Sequence, residues 1–190
     1  MGIALDAAYI LLAGATAPWW LRKKREDWPE RFGRVGALPA KARPRLLIHA
    51  VSVGEVNLTR PLIDRLKGRV EPVISVTTDT GTARARALYA RECPVVRYPL
   101  DASWAVRRFL DAVQPDAVAL VELELWPHFV RECRRRGIPV AAVNGRLSAR
   151  SLKPHRPFRF LLGRPHRSLT ISAVPAVDSP QRLPRRAPAP

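Results

Sequence analysis

The chain has 190 residues, 47% of them hydrophobic, which is long enough for one α/β domain with a true core and too apolar for wholesale disorder. Its formal charge of +17 points to anionic partners: nucleic acid, an acidic membrane leaflet or phosphorylated substrates. Two cysteines, Cys93 and Cys133, make neither a disulfide framework nor a metal-ligand cluster, and fit a reducing compartment.

The N-terminus reads as an anchor. Residues 7–21 are an uncharged run of 15, short of the roughly 20 apolar residues that span a bilayer. Trp19 and Trp20 end the run, and Arg22, Lys23, Lys24 and Arg25 follow, as at a headgroup boundary over anionic lipid. A cleaved signal peptide fits poorly, because the charges follow the apolar stretch. The expectation is a membrane-associated helix and basic linker over residues 1–34; a buried core helix is the alternative.

From residue 35 the pattern alternates strand and helix. Leu46–Val51 reads as a buried strand, followed by a helix from Glu55 to about Lys67. Pro72–Thr77 is a second strand, Thr82–Arg91 a second helix, and Val95–Tyr98 a short third strand. Asp101 is placed to cap a third helix whose Ala105, Val106, Phe109, Leu110 and Val113 share one face. Ala117–Val121 is a fourth strand. Pro127 opens a fourth helix, Gly137 closes it, and Ile138–Val143 is a fifth strand. Five strands joined by four helices predict an α/β domain over residues 35–151 with a parallel, Rossmann-like sheet. Residues 152–190 carry eight Lys/Arg, one acid and 8 of the 19 prolines, and read as a disordered tail with one short apolar alternation at 169–174. A nucleic-acid-binding arm is the sharper reading of this tail, but the regular aromatic interleaving of a stacking platform is missing.

Ligands of such sheets bind outside the carboxyl ends of the strands. The first strand runs into Ser52-Val53-Gly54-Glu55, where small residues allow close approach and a helix start presents free N–H groups. Glu55 is either a carboxylate that complements the helix dipole or a base. His49, alone within its strand, reads as a core residue. Thr77-Thr78-Asp79-Thr80-Gly81-Thr82 either caps the next helix or hydrogen-bonds a sugar or phosphate. Glu122 and Glu124 close the fourth strand, facing the same side in extended backbone, as a salt-bridged loop or as part of a polar cleft. Arg146 and Arg150 follow the fifth strand and either meet phosphate or are solvated. Walker, dinucleotide, zincin and nucleophile-elbow motifs are absent.

Glu30-Arg31-Phe32-Gly33, His49-Ala-Val-Ser-Val-Gly-Glu55, Thr77-Thr78-Asp79-Thr80-Gly81, Tyr98-Pro99-Leu100-Asp101, Glu122-Leu-Glu-Leu-Trp-Pro127 and Asn144-Gly-Arg-Leu-Ser148 stand in order over about 120 residues. Together they resemble the N-terminal half of bacterial 3-deoxy-D-manno-octulosonic acid (Kdo) transferase. The resemblance implies a GT-B glycosyltransferase made of two Rossmann-like halves, held on the cytoplasmic face of the inner membrane. It implies transfer of Kdo from CMP-Kdo to a lipid A precursor, without metal or other cofactor. It gives Glu55 the role of general base and Glu122 that of supporting the transition state. Ser52, Gly54, Thr78, Thr80, Gly81, Arg146 and Arg150 become candidate substrate contacts, with Arg60 and Arg84 as further candidates for phosphate. The basic charge then suits a phosphorylated acceptor, a sugar-acid nucleotide and an anionic membrane surface, with no nucleic acid expected.

The resemblance weakens after Ser151 and is expected to end near Arg164, so the family's donor-binding half is not expected here. By itself the chain is then expected to fold its N-terminal domain and transfer little or no Kdo. The alternatives are a non-catalytic, membrane-bound acceptor-binding remnant or a basic nucleic-acid-binding protein. The sequence is silent on oligomeric state.

Overall fold

A computed structural model describes residues 27–121 and 126–143, and the backbone course of 169–173. The apolar run at 7–21 and its basic flank lie outside these residues. No helix among the described residues is long and apolar enough to cross a membrane.

Apolar runs bounded by turn residues form the strands β1 (Arg45–Ala50), β2 (Glu71–Val76), β3 (Val95–Arg97), β4 (Ala117–Val121), β5 (Val140–Val143) and β6 (Leu169–Ala173). All pair in parallel, in the order β3-β2-β1-β4-β5-β6. This is the doubly wound Rossmann order, which reverses direction between β1 and β4. The pairing register is Ala50↔Val76 between β1 and β2, and His49↔Leu120 between β1 and β4.

The helices are α1 (Trp28–Arg31), α2 (Val53–Leu58), α3 (Arg60–Leu66), α4 (Asp79–Tyr89), α5 (Ser103–Val113) and α6 (Pro127–Arg135). Alternation along the central strands sends side chains to two cores. Leu47, Val73, Val118 and Leu120 pack with Phe109, Leu110 and Phe129, residues of α5 and α6. Ile48, Ile74, Val76 and Val121 pack with Val56, Ile63, Ala85 and Tyr89, residues of α2, α3 and α4. The predicted apolar face of α5 is buried throughout.

Several expectations change. The single helix expected over 55–67 breaks at Thr59. Pro61 has no N–H to give to residue 57, so the chain restarts as α3. The Thr59 hydroxyl donates to the Val56 carbonyl at 2.7 Å. Asp101 does not cap its own helix: Ala102 holds that position, without a side-chain cap. The Asp101 carboxylate instead accepts from the N–H groups of His128 and Phe129, at 3.1 and 2.9 Å, and so serves the start of α6. Five residues of the segment expected to be structureless form β6, which pairs with β5 across a register irregularity.

The boundary expected near residue 35 also moves. Arg31, in α1, is buried and donates to the Thr77 carbonyl at 2.8 Å. Glu30 accepts from the Arg97 N–H at 2.7 Å, and Asp27 from the Arg97 guanidinium at 2.6 Å. Gly33, at φ 77°, passes so close to α5 that a Cβ would collide with the Ala105 carbonyl oxygen. Residues 27–33 are therefore part of the packed unit.

Candidate active site

Two helices start side by side at the carboxyl end of the sheet, α2 after β1 and α4 after β2. Ser52 caps α2. Its hydroxyl oxygen accepts from Glu55 N–H at 3.4 Å and donates to Glu55 Oε1 at 3.0 Å. The other carboxylate oxygen, Oε2, accepts from Val51 N–H at 2.7 Å. The Ser-x-x-Glu spacing is that of a reciprocal capping box, and it fixes the Glu55 rotamer. Glu55 is buried, whereas Val53 and Gly54 beside it are exposed. A Cβ at Gly54 would find only Ser52 Oγ, at 3.8 Å, so the approach to this turn is open.

Thr78 caps α4, accepting from Gly81 N–H at 3.2 Å. It also donates to the Val51 carbonyl at 2.7 Å. The Val51 peptide thus joins the two helix starts, with its N–H on Glu55 and its carbonyl on Thr78. Gly81 sits in a closed space: a Cβ there would lie 2.7 Å from Thr78 Oγ1 and 2.8 Å from Val76 Cγ1. Thr80 is exposed in the first turn of α4.

Of the predicted site residues, the structure brings together Ser52, Gly54 and Glu55, with Thr78 and Gly81 adjoining. Thr78 and Gly81 carry the capping role that the sequence left open. Glu122, Glu124, Arg146 and Arg150 lie outside the described residues. Arg60 is committed to Asp64 and to Glu92, the latter at 2.7 Å, and these hydrogen bonds raise its already high pKa. Arg84 donates to the Asn57 side chain at 2.8 Å, which ties α2 to α4.

Two further buried groups flank the site, and only the first was passed over by the motif reading. Arg97 is buried beside the α4 start, where its guanidinium donates to Asp79 at 2.6 Å. Only tertiary contacts bury it, so local sequence gave no signal. His49 is fully buried in β1, stacked on Tyr98 with ring centroids 3.8 Å apart. Its Nδ1 lies 3.2 Å from the Ser75 carbonyl oxygen, and burial pushes the imidazole pKa down to about 3. This is the core histidine that the sequence suggested. A cavity of ≈ 490 Å³ opens at the other end of the sheet, among Arg43, Leu46, Ile63, Lys67, Val73 and Arg91; no candidate residue lines it.

A carboxylate held beside an open helix start can accept a proton from a bound hydroxyl. Known proteins share the sequence that builds it. The family model for 3-deoxy-D-manno-octulosonic-acid transferase (kdotransferase) matches residues 26–186, past the point where the resemblance was expected to end. The 3-deoxy-D-manno-octulosonic acid transferase of Bordetella pertussis is 37% identical over 149 residues, covering 70% of this chain and 34% of that protein. Those of Haemophilus influenzae and Chlamydia trachomatis are 36% and 33% identical, each over 67% of this chain and over 30% and 31% of their own lengths. The chain thus spans about a third of the length of these curated relatives. With the family model covering most of its length, the chain belongs to the 3-deoxy-D-manno-octulosonic-acid transferase family.

Proposed function

We propose that this chain forms the acceptor-binding half of a glycosyltransferase that moves Kdo from CMP-Kdo to a lipid A precursor. Glu55 is the general base in this reading. The observation that carries it is the Glu55 carboxylate, buried and fixed by Val51 N–H and the Ser52 hydroxyl, beside the open backbone at Gly54. Each carboxylate oxygen accepts from about two directions, so each keeps one free after these bonds. The acceptor hydroxyl bonds to one of these and loses its proton to Glu55 as its oxygen attacks the anomeric carbon of Kdo. The bond from that carbon to the CMP phosphate oxygen breaks, and CMP leaves with the electron pair. Holding the base in one rotamer means that little orientational freedom is lost at the reacting moment.

Glu122, the next residue in the sequence after β4, supports the transition state in this reading. Arg146 and Arg150 contact phosphate. Ser52 positions Glu55, and Thr80 offers an exposed hydroxyl to the sugar. The transfer needs no metal, and residues 7–21 hold the protein on the cytoplasmic face of the inner membrane.

Glu55→Gln tests the assignment, in a protein whose remaining length comes from the Bordetella pertussis relative. The amide keeps the size and one acceptor oxygen but takes no proton. Turnover should fall by a factor of about 10² to 10⁴, the usual contribution of general base catalysis, while the acceptor KM changes little. Near-normal turnover would show that Glu55 is only a capping carboxylate.

A further inference from the structure

The cavity at the far end of the sheet from Glu55 has a volume of ≈ 490 Å³, within the roughly 300–1,000 Å³ usual for small-molecule sites. It lies where β1 and β2 begin, between the last turn of α3 and the connection that leads from α4 to β3. Its inner wall is aliphatic. Leu46, Ile48, Ile63 and Cys93 line it and share one core cluster, and half-buried Leu66 and Val70 extend that wall. Among the described residues no aromatic ring lines it, so a nucleobase has nothing to stack on.

The charges around it are unequal. Of its acids, Glu71 is taken up by the N–H groups of Ala42 and Arg43, at 2.7 and 3.1 Å, and lies 3.7 Å from the Arg45 guanidinium. Glu92 is held by Arg60 at 2.7 Å. Arg45 is itself buried and donates to the Val113 carbonyl at 2.8 Å. Three cations of the lining remain. Arg43, Lys67 and Arg91 are exposed, and among the described residues none of their charged groups meets a carboxylate. An aliphatic interior asks for a hydrocarbon, and a rim of free cations asks for an anion.

We propose that this cavity binds a single-chain amphipathic anion, with an aliphatic tail against Ile48 and Ile63 and a phosphate head held by Arg43, Lys67 and Arg91. Two guanidinium forks and an ammonium suit a phosphate dianion, whose several oxygens accept from more than one donor. The site shares no residue with the Glu55 end of the sheet and stands whether or not Glu55 is a base.

Isothermal titration of the full chain with octyl phosphate, kept below its micelle concentration, tests the site. Binding should saturate at one per chain. Hexyl phosphate, two methylenes shorter, should bind about tenfold more weakly, and inorganic phosphate more weakly still. The double variant Arg43→Glu with Arg91→Glu should weaken octyl phosphate at least about tenfold. Arg131→Glu with Arg134→Glu makes the same change of charge on exposed residues of α6 and should leave affinity within about twofold. Leu66→Trp, which pushes a larger side chain into the wall, should also weaken binding. Far-UV circular dichroism checks that each variant is folded, and Lys67→Glu is a second rim variant expected to weaken binding severalfold. Equal losses in the two double variants would mean attraction by net charge alone, and would overturn the site. Affinity unchanged in both would place the probe elsewhere, the apolar run at 7–21 included, and would overturn it too. So would inorganic phosphate binding as tightly as octyl phosphate, or no saturable binding at all.

Discussion

The two helix starts at the carboxyl end of the sheet follow one local rule and serve different ends. Ser52 and Thr78 each cap a helix, and each is followed three residues later by the residue whose N–H it accepts, Glu55 and Gly81. At α4 the space beneath the turn is filled: a side chain on Gly81 would strike Thr78, Val76 and the Val51 carbonyl. At α2 the equivalent approach is open, and Gly54 has solvent in front of it. A glycine in a helix start therefore has two meanings, close packing behind it or ligand access in front, and only the surrounding atoms tell them apart.

The largest test of the contrast is a pH titration, because both starts hang from the β1–β2 pair that His49 bridges through Ser75. The folded imidazole titrates near 3 and the unfolded one near its usual 6.5. Between those values the unfolded chain binds more protons, so this contribution is complete above pH 6.5 and drains away as pH falls toward 3. Stability measured by urea unfolding should lose up to about 1.4 kcal/mol per pH unit between 6.5 and 4.5, and His49→Gln should remove that slope. The upper part of this range lies clear of Glu132, whose carboxyl is held down near 2 by the Arg135 and Arg136 guanidiniums.

Gly81→Ala comes next. Overpacking against Thr78 and Val76 should cost about 1–3 kcal/mol of unfolding free energy. Gly54→Ala is the smallest in stability, within about 1 kcal/mol of the parent and in the stabilising direction, because alanine is the better helix former. In the chimeric enzyme, Gly54→Ala should raise the acceptor KM with little change in unfolding. If Gly81→Ala leaves stability untouched, or Gly54→Ala unfolds the domain, the distinction between packed and accessible glycines fails.

Much of the architecture was legible from residues alone, because buried parallel strands appear as apolar runs and the breaks between them as proline, glycine and hydroxyl residues. β4 falls on the expected residues, and Pro127 and Gly137 bound α6 as read. What stayed hidden depends on distance along the chain. Asp101 looked like a local cap and instead reaches residues 128 and 129. Among the described residues β6 pairs only with β5, and its alternation is short and framed by proline and arginine. The helix start at Ser52–Glu55 was legible from its small residues, but the contact between Ser52 and Glu55 was not read from them, although its four-residue spacing carries it. The Arg31–Arg97 cluster was not legible, since its acids come from segments 18 to 70 residues away.

The Arg97 contacts also bear on where the chain can be divided. Removing everything up to residue 34 would take away Asp27 and Glu30 together, so that of the carboxylates named around Arg97 only Asp79 would stay. Leu100 N–H would lose the Arg31 carbonyl, and Thr77 its guanidinium donor. A shortened protein meant for crystallisation or acceptor titration should keep Asp27, since a strap that resembles a linker in the sequence serves as the outer wall of β3.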